Sequence, residues 1–308
     1  MITPDNHYYR QVRLLVRVLP HVAAEQCFAL KGGTAINLFI RDLPRLSVDI
    51  DLAYLPVGDY HASRREIDAA LRRIGSDLTI GTPSYGVTVG ANDGTGLIDT
   101  LNVTDGTHTV KVEVNPVLRG SVNEPALMTL RPSAQDEFGF AQITTLAFED
   151  IYAGKLMAAL DRQHPRDLFD AMILLENEGI SERLFKTWVA YLAGHKGSMA
   201  DTLDPTRKDI AALYRSQFLT MTTRQVSLEQ LHETRERLIA ELRGRLGESE
   251  KTFLLSVKRG KPRWELLGLT GIERLPAVQW KLLNLNKMSP EARQRAIARL
   301  EKVLSGIE

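Results

Sequence analysis

Cysteine is almost missing from this chain. Cys27 is the only one in 308 residues, so no internal disulfide can form and a cysteine-based zinc cluster is excluded. Long apolar runs are missing too, and none reaches the length needed to span a bilayer. Charge of one sign is not in excess: 39 Lys and Arg face 38 Asp and Glu, so bulk charge announces no nucleic-acid partner. The N-terminus, Met1-Ile2-Thr3-Pro4-Asp5, has no basic segment followed by an apolar one. No signal peptide is therefore expected, and a cytoplasmic location without membrane contact follows as an expectation. The seven histidines are scattered and none forms a His-Glu-x-x-His zinc pattern. Internal repeats and low-complexity tracts are also lacking. What remains is a globular composition, 44% hydrophobic, in a length suited to about two domains.

The most informative stretch runs from Leu30 to Leu52. An apolar run, Cys27-Phe28-Ala29-Leu30, leads through Lys31 to Gly32-Gly33-Thr34 and then to the helical run Ala35 to Ile40. This order predicts strand, tight turn, helix. A helix N-terminus offers unpaired N–H groups to an anion, and glycine lets a phosphate approach the backbone. Thr34 can cap the helix or bond a phosphate oxygen. After Pro44 comes Ser47-Val48-Asp49-Ile50-Asp51-Leu52. Side chains alternate along a strand, so Ser47, Asp49 and Asp51 share one face, and Val48, Ile50 and Leu52 the other. Two neighbouring carboxylates repel unless a cation compensates, and Mg²⁺ is commonly held by one or two carboxylates plus substrate phosphates. A capped helix followed by a strand with a solvated acidic face is the plainer reading of the same residues.

Elsewhere the pattern predicts a helix over His7 to Val22, kinked or ended by Pro20, and a second over His61 to Leu78 with Arg64, Arg65, Arg72 and Arg73 outside. Short alternating runs at Tyr85–Val89, Ile98–Val103 and Thr109–Asn115 read as strands, with hairpin turns at Asn92-Asp93-Gly94 and Asp105-Gly106. In the last strand three valines face the core, while Lys111, Glu113 and Asn115 share the other side. A strand or extended entry at Ile143–Leu146 precedes a helix over Phe148 to Leu160. A second helix starts at Arg166-Asp167-Leu168-Phe169-Asp170 behind Pro165. Lys155 and Arg162 lie two turns apart and share a helix face able to bind a triphosphate. Asp167 and Asp170 read as ordinary first-turn capping or as members of an ion-pair cluster.

From Ile180 onward the periodicity is helical, at Glu182–Ala193, Pro205–Phe218, Ser227–Leu246 and Pro290–Leu304, with a polar joint over Gly194–Thr202. Trp264 and Trp280 read as core anchors. From Lys251 to the end, Lys and Arg outnumber Asp and Glu by roughly two to one. That excess suits RNA or a solvated basic surface. The domain division is placed at residues 1–178 and 179–308.

The central stretch resembles the nucleotidyltransferase fold of the DNA polymerase β superfamily. In its fuller form, Lys31-Gly32-Gly33-Thr34 with Arg45-x-Ser47-x-Asp49-x-Asp51, it is similar to the AbiEii/AbiGii toxin family of bacterial toxin–antitoxin and phage-defence (abortive infection) systems. Thr34 stands where serine is usual and keeps the hydroxyl. A second family pattern is matched by Gly154-Lys155, Arg162, Arg166, Asp167 and Asp170. The resemblance implies an α+β fold, a mixed sheet flanked by helices, followed by a mainly helical C-terminal lobe. It implies a metal site of Asp49, Asp51 and a third acid, Glu113, holding Mg²⁺. It implies catalytic roles for Asp49, Asp51, Lys155 and Asp167, with Lys155 on the nucleotide phosphates. Substrate binding then falls to Lys31, Gly32, Gly33, Thr34, Arg45, Ser47, Arg162 and Arg166. The implied substrate is an NTP, the implied acceptor an RNA, chiefly the tRNA 3′ end, and the implied partner an antitoxin protein or its transcript. A protein-hydroxyl acceptor, a small-molecule acceptor and a non-catalytic nucleotide-binding regulator are the alternatives.

Overall fold

The structure, a computed structural model, describes residues 4–91 and 94–306. The turn expected at Asn92-Asp93 lies outside the described residues. The chain divides into two compact units. The first runs to Ile151 and takes back Ser216–Gln225; the second comprises Tyr152–Arg215 and everything from Val226.

The first unit is built on a seven-stranded mixed sheet among the described residues. Its strands are β1 (Phe28–Lys31), β2 (Asp49–Tyr54), β3 (Gly86–Gly90), β4 (Thr100–Thr104), β5 (Thr109–Val114), β6 (Ala126–Thr129) and β7 (Gln142–Thr145). They lie in the order β3-β4-β5-β2-β1-β7-β6. The pairs β2/β5 and β1/β7 are parallel, and β1/β2 is antiparallel. Helices α1 (His7–Ala23) and α3 (Tyr60–Gly81) pack on the sheet. The period-3.6 apolar stripes of α1 (Val12, Leu15, Leu19) and α3 (Ile67, Leu71, Ile74, Leu78) are buried there. The period-2 apolar positions Ile50, Leu52, Val110, Val112 and Val114 are buried as well. Each such side chain taken from water contributes about 1.5–3 kcal/mol. The strand assignments fix which residues face away from this core.

Several expectations change here. Pro20 does not end α1, which continues to Ala23, because a proline in the final turn removes only one late backbone bond. Arg64 is not on the exposed face of α3. It is buried, and its guanidinium donates to the carbonyls of Ile98 (3.0 Å) and Leu97 (2.6 Å), which precede β4 and lack a ladder partner. Strand β6 and helix α4 (Pro132–Phe138) were not anticipated, since short runs carry little periodicity.

In the second unit, α5 (Phe148–Asp161) enters across the boundary and turns into α6 (Pro165–Glu176). Next come α7 (Glu182–Gly194), α8 (Met199–Leu203), α9 (Ala211–Gln217, its last two residues belonging to the first unit), α10 (Leu228–Gly244), α11 (Glu248–Lys258), α12 (Pro276–Asn286) and α13 (Pro290–Ser305). The helix expected over Pro205–Phe218 begins only at Ala211. The segment before it is held open by side chains: Gln163 donates to Thr206 O (2.8 Å) and accepts from Lys208 N (2.9 Å). Within the polar joint, α8 forms behind its cap Ser198. Trp264 rests tilted against Phe253, but Trp280 is 48% exposed and anchors no core. Trp188 is the fully buried tryptophan.

Candidate active site

The first cluster is made by the stretch Leu30–Leu52 folding onto itself. Gly32–Thr34 forms the first helical turn, α2, and Ala35–Ile40 continues it as a π-helix, a form frequent at functional sites. Gly32 has φ +72°, in the left-handed region that favours glycine. A β-carbon there would stand 2.4 Å from Asp51 Oδ2 and 3.1 Å from Asp51 Cβ. The missing side chain is what lets the aspartate lie against the turn. A β-carbon on Gly33 would meet Ser47 Oγ at 2.7 Å and Arg45 Nη2 at 2.9 Å. The two glycines thus accept, in turn, the second aspartate of the Asp-x-Asp strand and the Arg45-x-Ser47 segment. Asn37, one turn on, donates to Gly33 O (2.9 Å) and fixes that peptide.

Thr34 is fully buried. Its Oγ1 donates to Asp49 O at 2.6 Å and lies 3.1 Å from Ser47 Oγ. The hydroxyl therefore ties α2 to the start of β2 and does not cap the helix. Arg45 is buried too, and donates from Nη1 to Leu46 O (2.8 Å). Its segment is clamped by Leu46 N donating to Met221 O (2.7 Å) and by a bridge from Arg45 to Thr222. Ser47 is buried, and Lys31 half-buried.

Strand register brings the charges together. Lys31 opposes Asp51 across β1/β2; Asp51 opposes Glu113 and Asp49 opposes Lys111 across β2/β5. Opposed residues share a sheet face, so Lys31, Asp49, Asp51, Lys111 and Glu113 stand on the side away from the valine face. Asp49 and Asp51 are half-buried. Glu113 is ion-paired with Lys111, two residues away on the same strand face. That hydrogen bond, with the fields of Glu113, Asp49 and Asp51, raises Lys111 above the ordinary lysine value against the opposing effect of burial.

Lys111 is the group that sequence reasoning passed over. It was visible as a residue on the acidic face, but only the register places it opposite Asp49. Its engagement also bears on the metal expectation. Among the described residues, no three His, Cys, Asp or Glu side chains come together as a metal-holding group. Asp49 and Asp51 fit Mg²⁺ of the kind held by one or two carboxylates with substrate phosphates supplying further oxygens. Glu113, the third acid of the expected set, stands opposite Asp51 and is ion-paired with Lys111 in this arrangement.

The second cluster lies in the second unit. Lys155 on α5 is buried between Asp167 (2.7 Å) and Asp170 (3.0 Å) of α6. Arg162, whose side chain is 65% exposed, grips both oxygens of Asp167 with its guanidinium fork. Burial pushes the Asp167 carboxyl up, yet Lys155 and Arg162 outweigh it and hold it well below the ordinary carboxylate value. The turn between the helices is set by Gln163 at φ 53° and by His164, whose Nδ1 accepts from Arg166 N (3.1 Å) as the cap of α6. Arg166 is half-buried in the first turn of α6. Lys155 is thus locked in place by two carboxylates, and Arg162 carries the exposed charge of this cluster.

Residues 13–282 match the family described as nucleotidyl transferase AbiEii toxin, type IV TA system. Among solved structures, the chain is similar to MenT4, a nucleotidyltransferase toxin from Mycobacterium tuberculosis H37Rv, at 15% identity and a TM-score of 0.60. That similarity covers 92% of this chain and 95% of the other. No match was found among curated protein sequences. A likeness at that identity carries the fold, and the family match over most of the chain carries the chemistry class. The protein is a member of the AbiEii family of nucleotidyltransferase toxins of type IV toxin–antitoxin systems.

Proposed function

We propose that this toxin transfers NMP from an NTP, with Mg²⁺, to an RNA acceptor, the 3′ end of tRNA, and so blocks aminoacylation and growth. The observation that carries the reading is the closure of Gly32 against Asp51 and of Gly33 against Arg45 and Ser47. A glycine turn with no room for side chains, touching paired carboxylates, is what a metal-bound triphosphate needs beside it. The basic balance of the chain after Lys251 supports a polyanionic acceptor.

In the proposed reaction, a ribose hydroxyl attacks the α-phosphorus and gives its proton to water, the P–O bond to the β-phosphate breaks, and pyrophosphate leaves with the electron pair. Asp49 and Asp51 would hold Mg²⁺, which there neutralises phosphate charge and makes the attacking hydroxyl more acidic. Gly32 and Gly33 orient the phosphates through backbone N–H groups. Thr34, Arg45 and Ser47 fix the turn against β2 so that the carboxylates keep their aim. Lys31 adds positive charge on the same sheet face. Lys111 balances the carboxylates when no other cation is near. Lys155, held by Asp167, is required for turnover, and Arg162 and Arg166 offer charge to the triphosphate. Most of the rate enhancement in such a transfer is positioning and charge neutralisation.

The working division of labour assigns transfer to residues 1–178 and acceptor binding to residues 179–308. An antitoxin protein or its transcript would restrain the toxin, and abortive infection on phage attack would be its setting. The test is to incubate the full chain with each labelled NTP, total tRNA and a proteome extract. Label on RNA is expected. Label on protein would replace the acceptor, and label on neither would remove the transferase reading for these substrates.

A further inference from the structure

The second unit contains a cleft of about 510 Å³ between α8, α11, α12 and α13, lined by none of the residues of the family patterns. Five cations line it, Lys196, Lys258, Lys281, Arg295 and Arg299, with one carboxylate, Asp201. Arg299 already takes the Asp201 carboxylate in an ion pair. Lys258 is 6% exposed; among the described residues it makes no hydrogen bond or close ion pair, and Asp201 acts on it only through its field. Lys281 is 8% exposed and donates to the carbonyls of His195 (2.9 Å) and Gly197 (2.5 Å), which leaves its third N–H.

Burying ammonium groups is costly where their counterion is shared, and Asp201, which acts on Lys258 across the cleft, is already paired with Arg299. Burial depresses both lysines below their ordinary value, Lys281 to about 8; Asp201 offsets part of the effect at Lys258, and Lys258 adds its own repulsion to Lys281. An anion with several acceptor oxygens would satisfy Lys258 and Lys281 together. The volume exceeds that of a lone ion and suits a nucleotide-sized segment. No aromatic side chain lines the cleft, so nothing there stacks on a base. Lysine offers a point charge and not a fork, which suits backbone phosphate without base readout.

We propose that this cleft is a docking site for a backbone phosphate of the RNA acceptor, with Lys258 and Lys281 as its buried donors and Arg295 and Lys196 at its mouth. The proposal rests on reading the acceptor as RNA. It adds a holding point remote in sequence from the Asp-x-Asp strand, so that the RNA body is gripped by charge alone.

The test is RNA binding by the full-length chain across a salt series, with wild type, Lys258→Met and Arg295→Met. Lys258→Met keeps length and removes the buried charge, so it is expected to melt no lower than wild type in phosphate-free buffer. Expected is a loss of affinity of several-fold in either variant and a salt slope shallower by roughly 0.7–0.9 per cation removed. Inorganic phosphate alone should raise the melting temperature of wild type and not that of Lys258→Met. RNA bound and labelled by wild type, with unchanged affinity and slope in the variants, overturns the cleft while leaving the transferase reading intact. Protection by inorganic phosphate with unchanged RNA binding assigns the cleft to a free anion and also overturns it. No RNA binding by wild type sinks the acceptor reading and this docking site together.

Discussion

Gly32→Ala is the sharpest perturbation of the turn. Two effects combine. An L-residue forced to φ +72° costs about 1–2 kcal/mol. The new methyl would also start 2.4 Å from Asp51 Oδ2, where 3.0 Å is the floor for such contacts, so the carboxylate must retreat by about 0.6 Å or more. Misplacement on the scale of 1 Å costs about a hundredfold in rate. The variant should therefore fold, melt a few degrees lower, and transfer label at about one-hundredth of the wild-type rate. Gly154→Ala is the matched control. It sits inside α5, its methyl would meet Tyr191 Cε1 at an ordinary 3.7 Å, and the change should stabilise by about 0.5–1 kcal/mol. Single-turnover transfer and thermal melting on the same samples decide the matter. A Gly32→Ala protein with wild-type transfer would refute the reasoning, because Asp51 would then tolerate displacement.

Other predictions concern the remaining charges. Lys155→Met should cost about 3–5 kcal/mol by stranding the buried Asp167 and Asp170, whereas Arg162→Gln, at an exposed position, should cost under about 1 kcal/mol; equal losses on denaturant unfolding would contradict the burial. The depressed Asp167 carboxyl contributes stability that is fully present above its unfolded value of 3.8 and is lost as pH falls through the lower folded value. Asp167→Asn should thus flatten the acid limb of the stability–pH curve below about pH 4, and an unchanged limb would assign that lability elsewhere. Lys111→Met removes a positive charge facing Asp49 and Asp51, so half-maximal transfer should need several-fold less Mg²⁺; a higher requirement would make Lys111 a phosphate ligand.

The strand–turn–helix order and the two faces of β2 were legible because each is local: period-2 alternation places Asp49 and Asp51, and a glycine pair marks a close approach. The α5–α6 charge cluster was legible for the same reason, since Lys155, Arg162 and Asp167 are close together in sequence across a single turn between helices. What was hidden depends on register and on distant chain. That Lys111 opposes Asp49, that Ser216–Gln225 returns to clamp Leu46, and that Arg64 reaches Leu97 and Ile98 all follow from tertiary pairing. Thr34 offered a hydroxyl to either a cap or a ligand, and only the fold assigned it to Asp49 O. Lys258 reads as one more surface lysine until α11 packs it inward.

The most direct test falls on the paired carboxylates of β2. Asp49→Asn and Asp51→Asn relieve charge repulsion and should leave folding intact. Pyrophosphate release from NTP with RNA present, measured beside a melting curve, should fall to background in both variants at wild-type melting temperature. Release at the wild-type rate from either well-folded variant would contradict the central claim.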